Sequence, residues 1–301
     1  MWFWLSIITL ICWSGSDLFS KIGCRDTRDK YSPLKMVMAV GLVMGIHALT
    51  EILGGTEINY KIILTYLPVS LLYIGSMAMG YLGLRYIELS ISSPICNSSG
   101  ALVAVATLIM VGFKGYSPLA LVAVAIVCVG AIGLGFVDYF EDETLRAERQ
   151  KKSNYKYSKS LIALALPVAY CILDAAGTFA DNRVLEVLNE DSANVAYELT
   201  FFFVGVLCFI YVVLIKKESL IPNFERPKYI GAICETAGQF AYIYAIADTS
   251  HLAMSAPIIS SYCAASVLWS RIFLKEKLSF KHYIMIGLIV IGIAIMGFLD
   301  M

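Results

Sequence analysis

Ser92-Ser93-Pro94-Ile95 leads an apolar span that ends near Phe113, and the next span closes in Gly130-Ala131-Ile132-Gly133-Leu134-Gly135-Phe136. Later in the chain Ser255-Ala256-Pro257-Ile258 leads a span ending near Leu274, and its successor closes in Gly292-Ile293-Ala294-Ile295-Met296-Gly297-Phe298. These are the fourth and fifth members of two sets of five spans. Like halves with an odd number of crossings must lie in a membrane in opposite orientations, with a site between them near the bilayer midplane. The fold reads as an all-α integral membrane protein of about ten transmembrane helices, arranged as two inverted five-helix repeats.

Composition leads to the same class. Hydrophobic residues make up 59% of the 301 and charged residues 15%, with a mean hydropathy of +0.75, outside the range of ordinary soluble domains. A helix crosses a hydrocarbon core with about 20 apolar residues. Such spans fall near 2–23, 33–54, 61–85, 90–113, 117–137, 160–182, 193–215, 228–247, 250–274 and 280–299. The first begins at Met1 without a basic region or a small-residue cleavage site, so it reads as a retained helix. Residues 1–137 form the first repeat, 138–159 a polar cytoplasmic linker and 160–301 the second repeat. Little sequence remains between spans for a soluble catalytic domain.

Formal net charge is zero, but 20 of the 23 Lys and Arg residues fall in loops on one side of this arrangement. The other side holds only Lys61, Lys114 and Arg183. The positive-inside rule makes the rich side cytoplasmic and places both termini outside. The eight cysteines show no CxxC or Cys/His spacing, and seven lie inside apolar spans, where thiols behave as small hydrophobes. No metal site and no cofactor are expected.

Ionisable residues at bilayer depth are costly and usually face a cavity or a partner. Asp174 lies mid-span with Thr178 on its face and Asp181 further on, toward the outer rim. Glu235 shares a face with Gln239 and Tyr242, and Glu198 stands two turns into its span. Asp17 has Lys21 at i+4 as a local ion-pair partner, although Ser14 and Asp17 also occupy the place in the first half that Asp174 and Thr178 occupy in the second. His47 and Glu51 are four apart toward the outer end of span two. Pro94 and Pro257 free the carbonyls of Ser90 and Ala253 if they stand inside helices, whereas a first-turn proline would free nothing. Asn97 and Ser260 beside them read as cavity residues. Tyr73 and Trp269 are deep aromatics suited to a cation. Gly41 with Gly45, Gly75, Gly80, Gly83, and Gly287, Gly292 and Gly297 read as helix-packing positions.

Several features together resemble the EamA-type branch of the drug/metabolite transporter superfamily over essentially the whole chain. They are the Trp13-Ser14-Gly15-Ser16 turn, the Pro94 and Pro257 positions, the Lys275-Glu276-Lys277-Leu278-Ser279 link and the Gly-rich closing spans. The corresponding link of the first half, Phe113-Lys114-Gly115-Tyr116-Ser117, lacks the acidic residue of the family pattern, so Glu276 reads as a loop residue. The resemblance implies a carrier of metabolites or drugs and names no substrate.

Other classes fit less well. No GxxxxGK[ST] phosphate loop is present for ATP-driven transport, and no HExxH for zinc proteolysis. A receptor or scaffold would leave the inverted halves without a purpose. Within transport, the excess of buried acids over bases suggests an organic cation or amine, or proton coupling. A neutral or zwitterionic metabolite such as an amino acid is the alternative. The expected partners are a small-molecule substrate, the lipid bilayer and protons, with no nucleic acid; the protein would be a monomer or homodimer in the plasma membrane.

Overall fold

The computed structural model describes residues 1–26, 28–112, 116–140 and 161–300. Most of the 138–159 linker and Lys114 lie outside them. All regular structure among the described residues is helical: α1 (Trp2–Cys24), α2 (Ser32–Gly54), α3 (Tyr60–Tyr86), α4 (Leu89–Asn97), α5 (Ser99–Val111), α6 (Pro118–Tyr139), α7 (Leu161–Val184), α8 (Glu190–Phe209), α9 (Pro222–Ala247), α10 (Leu252–Ser260), α11 (Tyr262–Trp269) and α12 (Phe280–Asp300). Two π-helical turns, Ile210–Ile215 and Ser270–Leu274, extend α8 and α11. Counting α4 with α5 and α10 with α11 gives ten crossings.

Local chemistry sets the ends. The Asn59 side chain accepts from the amides of Lys61 and Ile62 at 2.9 and 3.1 Å and so starts α3, and Asn189 caps α8 by accepting from Ser192. Among the described residues, eight segments are long and apolar enough to cross a membrane. The two crossings outside that set, α7 and α9, carry Asp174, Asp181 and Glu235. Both of these less hydrophobic helices bring carboxylates into the bundle.

Helix α9 begins at Pro222 rather than near 228. Glu225 and Lys228 suggested a loop by hydropathy, but both are buried and neutralised. Lys228 Nζ lies 2.8 Å from Asp29 and 3.3 Å from Glu225, while Lys35 Nζ lies 2.9 Å from Asp29 and 3.6 Å from Glu225.

Spans four and nine are each broken into two helices, which decides between the two readings of the repeated prolines. Helices α4 and α10 each have nine residues, hold their proline at the same interior position, and are followed by Ser98 and Ser261 as C-caps. Neither proline stands in a first turn. Beyond each break the serine amide bonds back to the proline carbonyl, at 3.1 Å for Ser98 and 3.0 Å for Ser261.

Packing between the halves is reciprocal. The most extensive partners are α1 with α9, α2 with α8, α6 with α12 and α3 with α7, followed by α2 with α9 and α5 with α10. Numbering crossings within each half, first packs on third and third on first, while second, fourth and fifth each meet their own counterpart. Exchanging the halves leaves that pattern unchanged, as a twofold relation requires. Single residues repeat it. A Cβ on Gly130 would fall 2.6 Å from Ile289 and 3.0 Å from the Met285 carbonyl; one on Gly292 would fall 2.5 Å from Val127 and 2.9 Å from the Ala123 carbonyl.

Candidate functional site

Three carboxylates share one cavity. It encloses about 660 Å³ of atom-free space, including the part open at its mouth. Helix α1 contributes Trp13, Ser16, Asp17 and Ser20; α3 contributes Tyr73, Met77, Tyr81 and Leu84; α4 contributes Ser92, Ser93 and Cys96. From the second half come Tyr170 and Asp174 of α7, Tyr197 of α8, Glu235 and Gln239 of α9, and Tyr262 of α11. No Lys, Arg or His is among the lining residues. Asp17, Asp174 and Glu235 all keep partial accessibility deep within their helices, which is the mark of a lined space rather than a packed core.

Serines position the two aspartates. Asp17 Oδ2 accepts from Ser93 Oγ at 2.5 Å and Ser266 Oγ at 2.8 Å, joining α1 to α4 and α11. Asp174 accepts from Ser99 Oγ at 2.7 Å. The expected Asp17–Lys21 ion pair does not form. Lys21 turns to the chain end of α3, donating to the carbonyls of Leu84 and Ile87 at 2.7 and 2.6 Å. Glu276 is more than a loop residue, since its carboxylate accepts from the Ser90 amide at 3.4 Å in the first turn of α4.

The sequence register of the repeat was one turn off at this point. The Trp13 ring seats on Gly238, where a Cβ would fall 2.4 Å from it, and the Tyr170 ring seats on Gly80 at 2.9 Å. These contacts are equivalent under exchange of the halves. Asp17 stands one turn beyond Trp13 and Asp174 one turn beyond Tyr170, so the aspartates themselves correspond. Residues one turn apart share a helix face, which is why Ser14 passed for the counterpart of Asp174.

Of the expected site residues, Asp17, Asp174, Glu235, Gln239 and Tyr73 line the cavity. Thr178 and Tyr242 lie behind its wall: their hydroxyls are hydrogen-bonded at 3.0 Å and the Tyr242 ring packs on Trp13 at 4.9 Å. Ser14 and Trp269 satisfy each other, the indole donating to the hydroxyl at 3.1 Å. Asn97 bonds back to the Ser93 carbonyl at 2.8 Å, and Ser260 is packed where a Cβ on Gly100 would sit 2.3 Å from its hydroxyl; both serve the helix breaks rather than the cavity. Glu198 is fully buried elsewhere, with His47 Nδ1 at 2.9 Å and Asn194 donating at 3.1 Å. His47 Nε2 reaches Glu51 at 3.8 Å. Asp181 is not at a rim; it is wholly buried and accepts from Tyr66 and Tyr73.

Sequence reasoning did not read Trp13, Ser16, Ser20, Met77, Leu84, Cys96, Tyr170 or Tyr197 as site residues. A signal existed for five of them: Trp13, Ser16, Asp17 and Ser20 follow helical spacing, as do Tyr73, Met77, Tyr81 and Leu84. Among the described residues, Ser20 Oγ, Tyr81 Oη and Gln239 Nε2 are buried at the cavity without a hydrogen-bond partner. Buried polar atoms of this kind call for a partner.

Residues 161–298 match the model of the EamA-like transporter family. No curated protein matches the chain in sequence. A solved structure described only as "Crystal structure of protein" matches at a TM-score of 0.64 and 13% identity, covering 98% of this chain and 96% of that one. It speaks to fold alone.

Proposed function

We propose that this multi-pass membrane protein, an EamA-type transporter by its second half, is a secondary carrier of small organic cations or amines, with protons as the coupling ion. The observation that carries the reading is the cavity itself: three carboxylates from α1, α7 and α9, an aromatic wall, and no cationic side chain among its lining residues. A bound ammonium would trade water for carboxylates in a low dielectric and for the ring faces of Trp13, Tyr81 and Tyr170. The reciprocal packing supports two inverted repeats, 1–137 and 160–301, rocking around this site in a plasma membrane.

A zwitterionic or acceptor-bearing amine is a second reading. It is favoured by the unpartnered donors at Ser20, Tyr81 and Gln239, which suit an oxygen on the substrate.

Purified protein in liposomes tests both. Uptake of labelled amines, amino acids and sugars should be saturable for amines. Asp174→Asn or Glu235→Gln should reduce it by about 10- to 100-fold, since a charge-assisted bond contributes about 1.5–3 kcal/mol and about 1.4 kcal/mol is tenfold. Saturable uptake of a neutral sugar, unaffected by either substitution, would overturn the cation reading.

A further inference from the structure

Asp181 plays no part in the cavity lining, yet it is the best-enclosed carboxylate near it. Its residue exposure is 0%. Tyr66 Oη donates to Oδ1 at 2.6 Å and Tyr73 Oη to Oδ2 at 3.3 Å. From Tyr73 a chain continues to Tyr242 Oη at 2.5 Å and from there to Thr178 Oγ1 at 3.0 Å. Among the described residues no Lys, Arg or His forms an ion pair with Asp181. The titratable groups around it are Tyr66 and Tyr73 from α3, Tyr242 from α9 and, beside the Tyr73 ring, Tyr197 from α8; Asp174 lies two turns back on α7 with its bond to Ser99 of α5. A carboxylate enclosed at membrane depth without a cation is costly when ionised.

Counting protons shows what the chain can do. Three oxygen–oxygen contacts link Asp181 Oδ2, Tyr73, Tyr242 and Thr178, and each needs one proton. With Asp181 ionised, the hydroxyls of Tyr73, Tyr242 and Thr178 supply all three, each pointing toward Asp181. With Asp181 protonated, its own proton joins those of Tyr73 and Tyr242, each pointing toward Thr178, whose hydroxyl proton is released to turn elsewhere. Tyr66 donates to Oδ1 in both states. Protonation thus loses no hydrogen bond and reverses the direction of the hydroxyls. Tyr73 lines the cavity, and Tyr242 packs on Trp13, which lines it too.

We propose that Asp181 is a proton-binding site separate from the cavity carboxylates, and that the Tyr73–Tyr242–Thr178 chain reports its protonation to the cavity wall. This deepens the carrier reading by giving the coupled proton a place, but the site stands on its own hydrogen bonds and is testable without flux. The probe is the proton: infrared difference spectra of the full-length protein in lipid, acid minus alkaline buffer. Wild type should gain a protonated-carboxyl band together with a change in the tyrosine side-chain bands. Asp181→Asn should lose its own component of the carboxyl band together with the tyrosine change, whereas Asp174→Asn should keep the tyrosine component. Tyr242→Phe leaves Asp181 and its two donors intact, so it should keep the carboxyl band and diminish the tyrosine change, which covers the case of a poorly folding Asp181→Asn. Wild-type-like spectra from Asp181→Asn, or an undiminished tyrosine change in Tyr242→Phe, would overturn the proposal. Absent flux with these bands present counts against the carrier reading alone; the bands' absence with flux intact counts against this site alone.

Discussion

A single oxygen of Asp17 accepts both serine hydroxyls. An asparagine can offer its carbonyl oxygen to the same two donors, so Asp17→Asn removes charge while keeping the junction of α1, α4 and α11. The expectation is unchanged melting in detergent with amine affinity weakened about tenfold, the loss of one charge-assisted bond. A large fall in stability would mean that the charge serves the junction and not a ligand. Lys228 is the contrasting case. It is fully buried between Asp29 and Glu225, and removing one partner of a buried ionic group leaves an uncompensated charge. Lys228→Met should destabilise the protein by about 3–5 kcal/mol, read as a marked fall in melting temperature. A neutral result would place water, rather than Lys228, in balance with Asp29.

Between elements, small residues decide how near the helices come. On α2, a Cβ at Gly41 would lie 2.8 Å from the Phe201 carbonyl of α8 and 3.0 Å from the Gly205 Cα. Backbone cannot move aside as a flexible side chain can, so Gly41→Val should cost about 1–3 kcal/mol through overpacking. Gly287 on α12 supplies the control. Among the described residues nothing lies within 4 Å of its added Cβ, so the packing role expected for it is not met there, and Gly287→Ala should be neutral or slightly stabilising, because alanine favours helix by about 1 kcal/mol over glycine. Equal losses at both positions in a melting assay would refute the close-approach argument. The broken crossings are the other element-scale device. Span nine is the most enclosed of the candidate spans, and its break at Ser261 stands beside the break at Ser98 through the α5–α10 contact. Irregular backbone at membrane depth is tolerated where protein covers it.

For the molecule as a whole, the prediction is movement of one half against the other. Cys96 lines the cavity and supplies a native thiol once the other seven cysteines are replaced. In the carrier it should react with a membrane-impermeant thiol reagent from one side at a time, and a transported amine should protect it. Reaction from both sides at once would describe a channel. The basic bias of the loops sets the frame for that experiment: a tag after Met301 is expected to be reachable from outside intact cells, and the 138–159 linker is not. Opposite labelling would reverse the orientation and leave the reciprocal packing as it stands.

Hydropathy, basic residues and repeated prolines were enough to read about ten crossings, a matching proline in the fourth and ninth, and the place of Asp174 and Glu235 within their spans. Each of those properties is local to a segment: burial cost depends on composition, and a proline removes its hydrogen bond wherever the helix goes. Which side of a helix meets the cavity is a different matter, because it depends on how neighbouring helices are rotated. Asn97, Ser260, Ser14 and Trp269 lie within their spans, but Asn97 bonds within its own helix, Ser14 and Trp269 pair between α1 and α11, and Ser260 packs on Gly100. Thr178 and Tyr242 were rotated just behind the wall, and Glu198 was claimed by His47. Lys21 abandoned Asp17 because the end of α3 offered two carbonyls that no sequence spacing announces. Sequence determined what each helix carries; only the packing of ten helices decided which of those groups face one another.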